Sequence, residues 1–393
     1  MPDSKSSPEA TAGKPTTTAD GDNMKNGIVK RSLLAAMLLA SAALAGCGGD
    51  AGPATEGASA ASQQSWDWKI VTAWPKNFPG LGRAPELFAE KVAAMSGGRM
   101  NIRVYGAGEL VPALEVFDAV SAGTAEIGHG AAYYWKGKVP EAQFFSALPF
   151  GMNAREMEGW IAYGGGAELW TELYAPFNLI PMRGGNTGVQ MGGWFNKEIN
   201  SVADFQGLKM RIPGLGGDVL TRLGGVSVNL PGDNLYTSLQ TGVIDATDWT
   251  GPYNDLAFGF HDIAQYYYYP GWHEPGAVIE FIFNKELFEA LPPDMQAILE
   301  TAAEAVDLHM TDEFTARNSA ALKELREKHG VEPRKFPDDL LIALDGVSQQ
   351  VIDELGQSSP MAQRILDSYR AFETTVADWN RISEEAYYNA RNL

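Results

Sequence analysis

Apolar positions along this chain recur at two spacings. Between residues 68 and 129 short apolar runs alternate with helical stretches. The segment 68–74 (Trp-Lys-Ile-Val-Thr-Ala-Trp) reads as a strand; Leu87, Phe88, Val92 and Met95 put one apolar face on a helix over 85–95 that stops at Gly97-Gly98. A strand over 100–105, a helix over 112–121 and a short strand over 126–129 complete a β-α-β-α-β run, which predicts a mostly parallel sheet with helices on both faces. A second series follows: strands over 187–195 and 208–212, a helix over 218–223, a strand over 226–229 and a helix over 234–241. Beyond a strand over 278–284 the pattern turns helical. Pro292-Pro293 opens a run to Lys328 free of further proline and of glycine before Gly330. At 1.5 Å per residue it would reach about 50 Å, longer than one small domain needs. Segments 338–355 and 361–392 add two more helices. The expected fold class is therefore α/β with two domains, whose facing loops would bind a ligand at the strand ends.

The chain's beginning predicts its destination. Lys25, Lys30 and Arg31 precede an apolar stretch from Leu33 to Leu39, and Leu44-Ala-Gly-Cys47 closes it, the pattern of a bacterial lipoprotein signal. Cleavage before Cys47 and lipidation of its thiol are expected, giving a periplasmic protein tethered to a membrane. An unmodified Cys47 at an ordinary signal-peptidase site, or an uncleaved anchor, are the alternatives, although 32–46 is short for a bilayer span. Polar residues 1–23 precede this signal, which makes Met24 the expected start. Residues 1–47 are thus read as leader and signal, and Gly/Ala/Ser-rich 48–65 as a flexible tether.

Composition narrows the function. The formal net charge of -19 argues against nucleic acid or an anionic lipid surface as the main partner. Cys47 is the only cysteine, so the remaining chain has neither a disulfide nor a thiol nucleophile. An anionic ligand would need a local cation against this field, and Arg211, on the apolar run 208–213, is the candidate: its planar fork holds a carboxylate by two parallel N–H bonds. The same segment of chain carries the carboxylates Asp248 and Glu274 and the indoles Trp249 and Trp272, which suggests a pocket for a small anion with a metal. Taken alone, each of these residues has a plainer reading, as surface charge, helix cap or core aromatic. His273 beside Glu274 invites a zinc reading, but no histidine pair has the His-Glu-x-x-His spacing. Gly214-Leu-Gly216-Gly217 follows a strand, yet position 219 is Val, so the dinucleotide fingerprint is incomplete; these glycines read instead as a turn close to the ligand. No Walker A motif and no Gly-x-Ser-x-Gly elbow occur.

Arg211, the stretch Gly232 to Asp245, Asp248-Trp249, Gly251-Pro-Tyr253-Asn-Asp255 and Tyr266-Tyr-Tyr-Tyr-Pro-Gly-Trp-His-Glu-Pro275 together resemble the DctP-type solute-binding proteins of TRAP transporters. The resemblance extends over most of the chain from Trp66 and is densest from Arg211 to Pro275. It is strongest to the subgroup that binds 2-oxo or 2-hydroxy monocarboxylates with a cation. Many relatives have Glu-Trp or Glu-Phe where this chain has Asp248-Trp249, and the shorter side chain leaves the ion's identity open between Na⁺ and Ca²⁺.

The resemblance implies a two-domain Venus-flytrap fold in which the long helix crosses both domains. The expected partition is 66–188 plus 275–310 for domain I and 189–274 plus 311–393 for domain II with the C-terminal helices. It further implies substrate contacts from Arg211, Gln190, Trp249, Tyr253, Trp272, Trp74, Phe78 and Tyr133, with Tyr134 a further candidate wall. Cation ligands would come from Gln190, Asp248, Glu274 and the Trp249 carbonyl. A binding protein rather than an enzyme is implied, delivering an organic-acid anion to TRAP permease subunits, with a homodimer through the C-terminal helix found in some relatives. Two other readings stay open: a secreted metal-assisted enzyme acting on an organic acid, and a ligand-sensing receptor subunit.

Overall fold

A computed structural model describes residues 64–391 and 393. Cys47, the signal and most of the tether lie outside them. Two sheets organise the rest. The first contains β1 (Trp66–Thr72), β2 (Met100–Tyr105), β3 (Ile127–Ala131), β4 (Leu179–Asn186) and β10 (Val278–Asn284), in the order β2-β1-β3-β10-β4. The second contains β5 (Gly193–Phe195), β6 (Lys209–Arg211), β7 (Val226–Val228), β8 (Ala246–Thr247), β9 (Tyr266–Tyr269) and β11 (Arg334–Lys335), in the order β11-β9-β5-β8-β6-β7. This is the two-domain periplasmic-binding-protein fold.

The first sheet opens parallel, as the β-α-β-α-β run requires: β1 pairs in parallel with both β2 and β3. β10 then returns antiparallel between β3 and β4, so the sheet is mixed. Every residue of β10 is buried, because helices cover both of its faces. Full burial of Phe281 and Phe283 contributes about 1.5–3 kcal/mol each.

The apolar pattern does not predict β4. Its sequence, Leu-Ile-Pro-Met-Arg-Gly-Gly-Asn, carries a proline and two glycines, which read as punctuation. The glycines have a packing role instead. A Cβ on Gly184 would come within 2.7 Å of the Phe281 ring, and one on Gly185 within 2.2 Å of Met310 Sδ. Gly185 therefore lets the long helix lie close against the strand, and Gly184 makes room for Phe281 of the neighbouring strand β10.

That helix runs Pro293–His329 without interruption, 37 residues, or about 55 Å. It packs on β4 and also on the short helix Pro252–Phe258 that follows β8, so it touches both lobes. Two side chains make the second contact: Asn318 Oδ1 accepts from Tyr253 N at 2.9 Å, and Glu313 Oε1 accepts from the Tyr253 hydroxyl at 2.8 Å. Helix Asp338–Gly356 packs on Gly214–Arg222 of the second lobe. Helix Pro360–Asn380 turns back onto the first lobe, where the Tyr369 hydroxyl accepts from Met152 N at 2.7 Å. Among the described residues no helix is long and apolar enough to cross a membrane.

Candidate functional site

β6 and β8 are parallel neighbours, with Arg211 opposite Thr247. Their carboxyl ends therefore deliver Arg211 and the next residue of the other strand, Asp248, side by side. Asp248 N donates to Arg211 O at 2.9 Å, and Arg211 Nη1 lies 3.2 Å from Asp248 Oδ2 and 3.0 Å from Asp248 O. Both side chains are almost dry, at 2% and 1% exposure. The rest of the guanidinium is also held: Nε donates to Leu230 O, Nη2 to the Tyr134 hydroxyl at 3.1 Å, and the plane sits 5.1 Å from the Trp249 ring. Tyr134 belongs to the turn after β3, in the first lobe.

A second carboxylate closes on this pair from the loop after β9. Gln190 N donates to Glu274 O, and Gly271 N to Gln190 O, so two chain segments are laced together by backbone bonds. Their side chains then meet: Gln190 Nε2 donates to Glu274 Oε2 at 2.6 Å, and the Tyr133 hydroxyl lies 3.4 Å from the same oxygen. Gly271 is required here, since a Cβ would come within 2.3 Å of the Gln190 carbonyl oxygen.

Electrostatically the cluster is overloaded with negative charge. Burial drives the Glu274 acid well above the usual carboxylate range, the Asp248 charge drives it further, and Arg211 opposes. Burial likewise pushes the Tyr133 and Tyr134 phenols up, leaving them neutral donors.

Glu274 Oε1, Asp248 Oδ1 and Gln190 Oε1 are all buried and accept no hydrogen bond. Leaving even one such oxygen unmatched is costly. Asp248, His273 and Glu274 each offer one ligand atom within 4.8 Å of the others. His273 Nε2 stands 2.9 Å from Asp248 Oδ1 without a well-formed hydrogen bond between them. Two convergent carboxylates, with the Gln190 amide bonded to one of them, fit a hard cation such as sodium or calcium.

Beside the cluster, Trp74, Leu81, Tyr133, Tyr134, Thr187 and Gln190, with Trp249, Thr250 and Ile279, line a closed-down cleft of about 10 Å³. That is room for about one water molecule, so the walls must part to admit even a small ligand. Trp249 is locked edge-on between Trp74, at 6.0 Å, and Phe78, at 6.2 Å.

Residues 70–358 match the family described as bacterial extracellular solute-binding protein, family 7, DctP. The chain belongs to the DctP family. A monocarboxylate 2-oxoacid-binding periplasmic protein of Nostoc sp. is 41% identical over 322 residues, 82% of this chain and 88% of that protein. A TRAP periplasmic solute-binding protein from Pseudoalteromonas atlantica, solved with sodium and pyruvate, is 41% identical with a TM-score of 0.81, covering 83% of this chain and 99% of that one. One from Colwellia psychrerythraea, solved with calcium and pyruvate, gives the same identity and TM-score over 83% and 100%.

In this DctP protein Gln190, Trp249, Trp74 and Tyr133 line the cleft, and Arg211, Asp248 and Glu274 form the buried cluster beside it. Three other expected contacts stand apart from it. Tyr253 turns its hydroxyl to Glu313 on the long helix. Phe78 supports Trp249 from behind and stacks on Phe258 at 4.5 Å. Trp272 stacks on Phe150 at 5.9 Å, on the far side of His273.

Thr187, Thr250, Leu81 and Ile279 line the cleft without having been singled out in the sequence; only Thr250, directly after Asp248-Trp249, carried a signal. His273 has no helical metal spacing in the sequence, but it reaches Asp248 from a loop. The glycines after Pro213 are not a loop either: they are the first turn of helix Gly214–Arg222. A Cβ on Gly216 would come within 2.8 Å of His273 Cβ, so that glycine makes room for the histidine.

Proposed function

We propose that this extracytoplasmic DctP protein captures a small 2-oxo or 2-hydroxy monocarboxylate, pyruvate being the model, together with one sodium or calcium ion, and hands it to TRAP permease subunits. The observation that carries the reading is the set of three buried oxygens on Asp248, Glu274 and Gln190 that lack hydrogen bonds next to a dry arginine. These three side chains, with the Trp249 carbonyl, would hold the ion. When bound, the ion offsets the two carboxylates and offers coordination to the adjacent oxygens of a 2-oxo or 2-hydroxy acid. Arg211 binds the ligand's carboxylate, and Trp74, Tyr133 and Trp249 limit its size. The ligands bound by the Pseudoalteromonas and Colwellia proteins agree with this choice.

Capture is read as closure of two lobes, divided as 66–188 plus 275–310 and 189–274 plus 311–393, except that helix Pro360–Asn380 packs on the first lobe and goes with it. Tyr133 and Tyr134 come from the first lobe and meet Glu274 and Arg211 of the second, so a ligand held by both sides stabilises the closed state. Binding without turnover is part of the proposal, as are tethering through a lipidated Cys47 and a homodimer through the C-terminal helices. Trp379, Ile382, Tyr387 and Tyr388 of those helices are exposed and would form the dimer contact.

Thermal-shift measurement of the purified protein against pyruvate, lactate, longer 2-oxo acids and dicarboxylates, each with Na⁺, Ca²⁺ or chelator, tests the ligand class. Stabilisation confined to monocarboxylates bearing a 2-oxygen and dependent on cation is expected; about 2.7 kcal/mol appears at a ligand concentration 100 times Kd. Equal stabilisation by dicarboxylates without cation would retain the family and remove these roles from Gln190, Asp248 and Glu274. Recovery of pyruvate unchanged after incubation is expected, and its consumption would favour an enzyme.

A further inference from the structure

The chain has five histidines, and two of them, His261 and His329, meet outside the cleft. Both are placed by a glycine in the left-handed region. Gly259, at φ 74°, ends helix Pro252–Phe258 and starts the single turn Phe260–Asp262; Gly330, at φ 67°, ends the long helix directly after His329. The imidazole centroids are 4.0 Å apart with planes at 60°. His261 Nε2 is 3.5 Å from Asp262 Oδ1, and one donor atom from each of His261, Asp262 and His329 falls within 4.8 Å of the others.

Three features distinguish this contact from two surface rings in chance proximity. The His261 side chain is only 8% exposed, and its Nδ1 is buried without a hydrogen-bond partner. The pair also sits at the carboxyl end of a 37-residue helix, where the backbone dipole favours a cation.

We propose that His261, Asp262 and His329 form a second metal site, for a divalent transition ion of the zinc class. Two imidazoles and one carboxylate are the donor set that suits zinc, copper or nickel, whereas the oxygen cluster in the cleft suits sodium or calcium. Zinc binds nitrogen at about 2.0–2.1 Å, so the three donors need only modest side-chain rotation to share one ion. An ion held there would pin the carboxyl end of the long helix to the lobe that carries β5 to β9.

The test uses the full chain stripped with chelator. Zinc binding by calorimetry and cobalt binding by visible absorption are compared in the natural protein, in His261→Gln, in His329→Gln and in Asp248→Asn/Glu274→Gln. One zinc-binding event and a tetrahedral cobalt spectrum are expected, both surviving in the cleft variant. They should weaken in His329→Gln by at least the roughly 10–100-fold that loss of an outer partner costs. His329 is exposed, so its replacement leaves the fold intact even if His261→Gln does not. Absence of zinc binding in the natural protein, or equal affinity in His329→Gln, overturns the proposal and leaves the pyruvate reading untouched.

Discussion

Tyr134 and Arg211 are bonded at 3.1 Å, hydroxyl to guanidinium, and they come from different lobes. The arginine thus spans the cleft through a neutral phenol and is fixed within its own lobe through Asp248. It is positioned before any carboxylate arrives, which lowers the ordering cost of binding.

Replacing Arg211 by alanine should weaken pyruvate binding by about 3–5 kcal/mol, because a buried carboxylate loses its counter-charge. Arg211→Lys keeps the charge but loses the fork, so it should also fail to restore affinity. Titration calorimetry measures both, and natural affinity in either variant would remove the arginine from the site.

Glu274→Gln removes the carboxylate that burial and Asp248 together disfavour. The variant should melt at the same or higher temperature than the natural protein in chelator, and calcium with pyruvate should no longer raise its melting point. A calcium-induced rise equal to that of the natural protein would contradict the role of Glu274.

Gly271→Ala forces a methyl group against the Gln190 carbonyl oxygen, which is backbone and cannot swing away. Such overpacking costs typically 1–3 kcal/mol. A lower melting temperature accompanied by weaker ligand binding is expected, since Gln190 would shift with its carbonyl. Unchanged binding would mean that the Gln190 amide need not be held where it is.

Glu280, in the middle of β10, predicts a pH dependence that has nothing to do with ligand. It accepts from Trp135 Nε1 at 2.5 Å and from the Tyr174 hydroxyl at 3.2 Å, and burial pushes its pKa up to about 8. The folded state therefore binds this proton more tightly than the unfolded chain does. The resulting stability is fully present below the unfolded pKa and is lost as pH rises through about 8, at up to roughly 1.4 kcal/mol per unit. Chemical denaturation of Glu280→Gln between pH 5 and about 9 should show a flatter profile than the natural protein, and parallel profiles would sink the assignment.

Regular elements were legible where one physical signal dominated. β2, β10 and the long helix follow directly from apolar runs and from the lack of breakers between Pro293 and Gly330. Reading failed where packing reversed the usual meaning of a residue. Gly184-Gly185 looks like a turn and is a strand stripped for Phe281 on one residue and Met310 on the next; Gly214 to Gly217 look like a loop and begin a helix against Tyr133, His273 and Ser227. Tyr267 and Tyr268 point to opposite faces of β9, yet both are buried because both faces are covered. At the cleft, Asp248 and Glu274 stood out through the family resemblance rather than through spacing. Tyr253 shows the limit of proximity in sequence: five positions beyond Asp248, it faces the long helix.

The most direct test is calorimetry of pyruvate binding to the natural protein in calcium, in sodium and in chelator. Tight binding with at least one of the two ions, lost or weakened by more than about tenfold in chelator, is the expected result. The same affinity in all three solutions would contradict the central claim that the oxygens of Gln190, Asp248 and Glu274 and the bound anion share a cation.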